Sequence, residues 1–271
     1  FALAIDPHNT STLYAAGNGG VMKSANGGAT WSSASTGFGG ANVGSIAIDP
    51  VTPETLYAGS SGIYKSTNGG SNWSLLDTGS GNYAFSGLSI DPATPSTVYA
   101  GSSSGVLKSV NGGESWSVVS SGLSLSFVQD VLINPATPST LYAGTLGGGV
   151  CKSLNGGENW SVASSGLVRE NVLSLAAGPG TPGTIYAGTS LGGVRKSVDG
   201  GGHWTAANTG LYLTPARVQA LAVDPISSSI VYAGMYSAGV YKSANSGENW
   251  SEAMTGMGNK RVNALAIDPV T

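Results

Sequence analysis

Two carboxylates stand where an acid and a base could work together. Asp130 replaces the small residue that begins an inner strand in other repeats of this chain (Ser45, Gly87, Ser174 and Ala220), and Glu170 lies in the loop that ends the same repeat. Carboxyl groups flanking a glycosidic bond can serve as acid, base or nucleophile, so Asp130 and Glu170 are the candidate catalytic residues. Two unrelated surface acids are the competing reading. A second set suits binding: Tyr83, Phe127, Arg169, Tyr212, Arg217, Tyr236 and Arg261 combine aromatic faces with guanidinium groups, as a site for a glycan or an extended peptide would. His8 and His203 are far apart in the pattern and no metal-ligand spacing occurs, so neither a metal nor a cofactor is expected. The single cysteine, Cys151, fills a slot held in other repeats by Met22, Tyr64, Leu107, Arg195 and Tyr241, and is expected to be a packed side chain.

Composition narrows the partners. Only 9% of the 271 residues are charged, with 11 basic against 14 acidic side chains and a formal charge of −3, so no positive field exists to attract a nucleic-acid backbone. No apolar run approaches the roughly 20 residues of a membrane span, and membrane insertion is not expected. With 40% hydrophobic residues in a strongly periodic pattern, the chain is not disordered, and its 43 glycines suit a turn-rich β protein.

The elements that must position these residues come from a repeat. The phrase KSANGGATW (23–31) returns as KSTNGGSNW, KSVNGGESW, KSLNGGENW, KSVDGGGHW and KSANSGENW, its tryptophans separated by 42, 43, 44, 44 and 46 residues. A second phrase like LAIDP recurs around Asp6, Asp49, Asp91, Asn134, Gly178, Asp224 and Asp268. Each unit holds four short apolar stretches, in the last unit ALAVDP, IVYAG, GVYKS and ENWSEA, broken by turn residues. These predict strands A to D of a blade, and the chain is predicted to be all-β: a β-propeller of four-stranded antiparallel blades in a single domain, 1–271. The repeats are approximately 1–44, 45–86, 87–129, 130–173, 174–219 and 220–263. Residues 264–271 begin a further repeat, so six blades lie in the chain and seven are possible in the parent protein.

Between strands C and D the recurrent phrase predicts a tight hairpin, with Asn-Gly taking the two positive-φ positions, the serine capping the opposite side and the tryptophan lying over the turn. The residues assigned this structural role are Ser24, Asn26, Gly28 and Trp31; Ser66, Asn68, Gly70 and Trp73; Ser109, Asn111, Gly113 and Trp116; Ser153, Asn155, Gly157 and Trp160; Ser197, Asp199, Gly201 and Trp204; and Ser243, Asn245, Gly247 and Trp250. Aspartates before proline, such as Asp49 and Asp91, are read as Asx turns between strands A and B. The spacing Ser-x-Asn/Asp-x-Gly-x-x-Trp resembles the Asp-box of the BNR-repeat propellers found in sialidases, xyloglucan-degrading endoglucanases, sortilin-type receptors and photosystem II assembly factors. That resemblance implies that the boxes are structural, lie away from any active face, and belong to a secreted or cell-surface protein. The chain lacks the Arg-Ile-Pro phrase of sialidases and has only Arg169, Arg195, Arg217 and Arg261, so no family catalytic residue transfers to it.

Function should lie where the repeats differ. Removing the tryptophans, the tyrosines of the YAG phrase and the lysines before the box serine, read as surface solvation or stem packing, leaves Phe38, Tyr83, Phe127, Asp130, Arg169, Glu170, Tyr212, Arg217, Tyr236, Lys260 and Arg261. All belong to D-to-A or B-to-C connections or to the start of strand A, which share one face of a blade. One aligned slot holds Asn42, Ala84, Phe127, Asn171, Arg217 and Arg261, the variation a binding rim would show, or that drifting loops would show. The expected function is a non-enzymatic ligand-binding or scaffolding propeller holding a glycan or protein segment on this loop face. A polysaccharide-active hydrolase and a purely structural repeat are the alternatives.

Overall fold

A computed structural model describes residues 2–79, 83–123, 127–167, 170–212, 214, 216–257 and 261–270. Short runs rich in Val, Ile, Leu and Tyr form six antiparallel sheets of four strands, each ordered as in the sequence, and the second strands of blades 2 to 5 are buried along their whole length. The chain divides into two compact units.

The first unit, Phe1–Ser120 with Asp268–Thr271, contains three blades. Blade 1 comprises β1 (Ala2–Ile5), β2 (Leu13–Gly17), β3 (Gly20–Ser24) and β4 (Ser32–Ser33). Blade 2 comprises β5 (Ser45–Ile48), β6 (Leu56–Gly59), β7 (Ile63–Ser66) and β8 (Ser74–Leu75). Blade 3 comprises β9 (Phe85–Ile90), β10 (Val98–Ser102), β11 (Gly105–Ser109) and β12 (Ser117–Val118). The second unit, Ser121–Ile267, contains the other three. Blade 4 comprises β13 (Val128–Ile133), β14 (Leu141–Thr145), β15 (Gly149–Ser153) and β16 (Ser161–Val162). Blade 5 comprises β17 (Val172–Ala177), β18 (Ile185–Thr189), β19 (Val194–Ser197) and β20 (Thr205–Ala206). Blade 6 comprises β21 (Val218–Val223), β22 (Val231–Met235), β23 (Gly239–Ser243) and β24 (Ser251–Glu252). The repeated ALAID phrase at 264–268 forms no strand.

The hairpin phrase folds as expected in outline and differs in its turn. Positive φ falls on the two consecutive glycines, Gly27 at 66° and Gly28 at 87° in blade 1, and not on Asn26. The asparagine is held back because its side chain is used: Asn26 Oδ1 accepts the Ser24 hydroxyl (3.0 Å) and the Thr30 N–H (2.9 Å), while Ser24 Oγ accepts the Gly28 N–H (2.9 Å). The same three bonds recur in blade 6 around Ser243 and Asn245, where Ser246 at φ 58° takes the first glycine's place. Each hairpin is also tied to the A-to-B turn of its own blade, through Gly27 N–H to Ser11 O (2.9 Å) and its equivalents. In that turn Asp49 Oδ1 accepts the N–H groups of Val51 (2.9 Å) and Thr52 (3.0 Å), the Asx geometry expected of it.

The phrase does more than lock its own hairpin. Within each unit it joins one blade to the next. Tyr57 of blade 2 donates its hydroxyl to Gly112 O of the blade 3 hairpin (2.9 Å), and Lys65 Nζ donates to the same carbonyl (2.6 Å). Tyr14 and Lys23 converge in the same way on Gly69 O, and Tyr142 and Lys152 on Gly200 O. These lysines are therefore not simply solvated: each ammonium also lies over the paired tyrosine ring, 5.2 Å from the centroid for Lys23 and Tyr14. The second hairpin glycine must be glycine twice over, since Gly70 has φ 81° and its Cβ would come within 3.1 Å of the Tyr14 ring. Tryptophan completes the joint in the reverse direction. The indole N–H groups of Trp73, Trp204 and Trp250 donate to Ala34 O, Ala163 O and Ala207 O of the preceding blade (2.8–2.9 Å), and their rings are buried. Trp31 alone among these follows the sequence expectation, bonding Gly28 O of its own turn (3.0 Å) and staying 38% exposed. No blade precedes it within its unit.

Candidate functional site

B-to-C turns and D-to-A connections carry the side chains left over from the repeat, and the structure gathers some of them into two places. In the first unit, the connections that follow blades 1 and 2 and the B-to-C turns of the same blades line a cleft of about 590 Å³. Its lining includes Asn18, Asn42, Ser60, Ser61, Tyr83 and Ser86, with Val43 and Phe85 beneath. Asn42 and Ala84 of the aligned slot both face it. Asn42 is pre-positioned, its Oδ1 accepting the Gly19 N–H (3.2 Å), which leaves the amide Nδ2 as a donor. Among the described residues, the lining contains no charged side chain. Hydrogen-bonding amides and hydroxyls beside one half-buried tyrosine form a surface that can read hydroxyl groups on a neutral ligand.

In the second unit, Arg217, Tyr236 and Arg261 meet. The Arg217 guanidinium carbon lies 4.8 Å from the Tyr236 ring centre and that of Arg261 lies 4.4 Å from it. Backbone bonds deliver all three: Tyr236 N–H donates to Arg217 O (3.0 Å), and Val262 N–H donates to Met235 O (2.9 Å). Each arginine is further held by an amide two residues on, Arg217 Nε donating to Gln219 Oε1 (2.9 Å) and Arg261 Nε to Asn263 Oδ1 (3.2 Å). The sequence shows why, since both stand in the phrase Arg-Val-Gln/Asn-Ala-Leu-Ala. Among the described residues, no carboxylate lies within ion-pair distance of Arg217.

The two candidate acids have separate partners. Asp130 follows a register shift in the β13–β14 pairing, an irregularity of the kind that re-aims a side chain. Its carboxylate accepts the Leu175 N–H of the next blade (2.8 Å). Burial pushes its pKa up to about 6, against the backbone N–H bonds from Leu175 and Val131, which pull it down. Glu170 forms an ion pair with Arg195 at 2.6 Å, both side chains being about four-fifths buried. Arg195 occupies the β19 slot that holds Cys151 in blade 4, and this charge in an otherwise apolar series was the sequence signal for a partner.

Of the other expected site residues, Tyr212 is 54% exposed, its backbone N–H bonded to the Tyr241 hydroxyl. Phe127 is half-buried, with its carbonyl accepting the Leu146 N–H (3.0 Å), and lines neither place. Arg169 and Lys260 lie outside the described residues. Phe38 is not on the rim: it is buried in the core of blades 1 and 2, its ring centre 4.7 Å from that of Tyr64 and 5.0 Å from that of Trp73. Cys151 is fully buried, and burial raises its thiol pKa, as a packed side chain requires. His203 Nδ1 lies 2.8 Å from Asp199 within its own hairpin, and the described residues contain no His, Cys, Asp and Glu cluster able to hold a metal. No described helix is long and apolar enough to cross a membrane.

No protein-family model and no curated protein sequence matches the chain. Solved structures do. The GH74 xyloglucanase from Xanthomonas campestris matches all of this chain over 49% of its own length, at 18% identity and a TM-score of 0.81. The extracellular domain of a hybrid two-component system from B. thetaiotaomicron matches 98% of the chain over 35% of its own length, at 14% identity and 0.75. YCF48 bound to D1 peptide matches 93% of the chain over 80% of its own, at 12% identity and 0.69. The chain spans between 35% and 49% of the length of the GH74 structures it resembles. At these identities the likeness establishes the fold, and the chain is a β-propeller of four-stranded antiparallel blades similar to those of GH74 enzymes and YCF48.

Proposed function

We propose that the chain is a non-enzymatic, ligand-binding propeller, framed by Asp-boxes and exported or displayed at the cell surface, whose loop-face cleft holds a short run of a neutral glycan. The cleft lined by Asn18, Asn42, Ser60 and Tyr83 carries this reading, because an uncharged, hydrogen-bonding surface with one aromatic side chain matches the hydroxyls and apolar faces of a sugar. The serine–asparagine bonding shared by the hairpins supports the Asp-box assignment. Both a xyloglucanase and an extracellular domain among the similar structures are in keeping with such a ligand and setting. The test is depletion of the chain from solution by insoluble polysaccharides, with reducing ends assayed in the same tubes. The expected result is binding without release, weakened about ten-fold by Tyr83→Ala and less by Asn42→Ala. Binding that neither substitution alters would overturn the assignment of the cleft.

One observation favours a second reading, a glycoside hydrolase. Asp130, with its pKa raised to about 6, has the protonation behaviour of a general acid. Release of reducing ends that is abolished by Asp130→Asn would establish it.

A further inference from the structure

We infer that the side of blade 6 facing away from blade 5 is a docking edge for strands B to D of one more copy of this repeat, carried by a partner polypeptide. The joint between blades 1 and 2 shows what such an edge needs. Blade 1 offers the Tyr14 hydroxyl (3.0 Å) and the Lys23 ammonium (2.9 Å) to Gly69 O of the blade 2 hairpin. It receives Trp73 at three points. Ala34 O accepts the indole N–H (2.9 Å), Thr36 O accepts the backbone N–H (2.8 Å), and Gly37, at φ 108°, makes room for the Trp73 carbonyl, which a Cβ there would strike. Val43 leads into the inner strand of blade 2, its N–H bonded to Gly17 O (3.0 Å).

Blade 6 carries the same edge residue for residue. Tyr232, Lys242, Ala253, Thr255 and Gly256 stand in the slots of Tyr14, Lys23, Ala34, Thr36 and Gly37. The lead-in is also present: Val262 N–H donates to Met235 O (2.9 Å), and its side chain packs on Gly234 as that of Val218 packs on Gly188. Among the described residues, however, no strand pairs with the ALAID phrase that follows, and the other groups lack their partners. Tyr232 is half-buried, whereas Tyr14, Tyr57, Tyr142 and Tyr186 are 1–2% exposed, and no described residue accepts its hydroxyl. Lys242 Nζ lies over the Tyr232 ring (5.4 Å from its centre) and likewise has no acceptor. At Gly256, with φ 83°, no described atom would come within 4 Å of a Cβ. These groups select their occupant by chemistry. A glycine-flanked hairpin carbonyl followed by a tryptophan matches both donors and all three receiving points, and a YAG-type strand supplies the pairing that ALAID lacks. A helix has no such carbonyl to offer, because its own N–H groups use them.

Calorimetric titration of the 271-residue chain with a peptide of residues 50–79, the blade 2 segment whose opening Pro-Val-Thr matches 269–271, tests the assignment. The expected result is one-to-one binding that raises the melting temperature of the chain. The same peptide carrying Trp73→Ala should bind about ten-fold more weakly or worse. On the chain, Tyr232→Phe and Lys242→Met should each weaken binding about three- to ten-fold. Gly256→Ala should weaken it further by meeting the tryptophan carbonyl. In the free chain it should lower the melting temperature less than Gly210→Ala does, since a Cβ at Gly210 would strike the carbonyl of Trp250. No binding, equal binding of the alanine peptide, or indifference to all three chain substitutions overturns the proposal. Concentration-dependent dimers in sedimentation that Lys242→Met disperses would assign the edge to a second copy of the chain and overturn the choice of partner.

Discussion

At the scale of single residues, environment decides what the same side chain does. Asp130 and Glu170 are both acids of the loop face. One is lifted by burial with only backbone N–H groups to offset it, and the other is paired with Arg195. For Asp130 the consequence is a pH dependence of stability. Its carboxyl titrates near 6 in the folded chain and near 3.8 when unfolded, so the folded state prefers the protonated form. Stability from this group is full below about pH 4 and is lost as pH rises through about 6. Allowing for partial solvent contact, the loss amounts to about 1–2 kcal/mol. Asp130→Asn keeps the acceptor for Leu175 and removes the charge, so urea denaturation should show the variant more stable than the parent at pH 7.5 and equal to it at pH 4. A variant less stable at both pH values would mean that the carboxylate, and not merely its shape, is needed there.

At the scale of elements, the repeating hairpin is a joint between blades as well as a turn. Two donors, the Tyr57 hydroxyl and the Lys65 ammonium, share the single carbonyl of Gly112. Either alone satisfies it. Tyr57→Phe or Lys65→Met should therefore cost about 1 kcal/mol each, while the double variant should cost more than the sum because it orphans a half-buried carbonyl. A double-mutant cycle in urea measures this directly, and strict additivity would show the two bonds to be independent. Burial makes the ionised Tyr57 phenolate costly, with pKa raised to about 12, so the hydroxyl remains a donor across the whole range in which the protein would be studied.

At the scale of the molecule, the six tryptophans are chemically one repeat but differ in burial, with Trp116 half-buried. Trp73, Trp160, Trp204 and Trp250 are 4–5% exposed, whereas Trp31 is 38% exposed on blade 1. Its neighbours on that face, Leu3 and Met22, are exposed as well, at 38% and 40%. Trp31→Phe is expected to remove most acrylamide-quenchable emission at a stability cost below about 0.5 kcal/mol, while Trp73→Phe should leave the quenching and cost about 1–2 kcal/mol. Unchanged quenching in Trp31→Phe would show that this face is covered in solution.

By itself the sequence determined the four-stranded unit, its period, the Asx turns and the residues of the hairpin, because these depend on local backbone chemistry that each repeat states in full. By subtraction it singled out Tyr83, Arg217, Tyr236 and Arg261 as residues that the repeat does not explain. Only tertiary structure decided that Tyr and Lys reach into the next blade, that Phe38 is core, and that Arg217 and Arg261 share the Tyr236 ring while Glu170 is taken by Arg195. The physical reason is distance along the chain. A turn is settled within a few residues, but these contacts join groups 19 to 58 positions apart, and a pattern of residue types carries no record of which side chains packing will bring within reach.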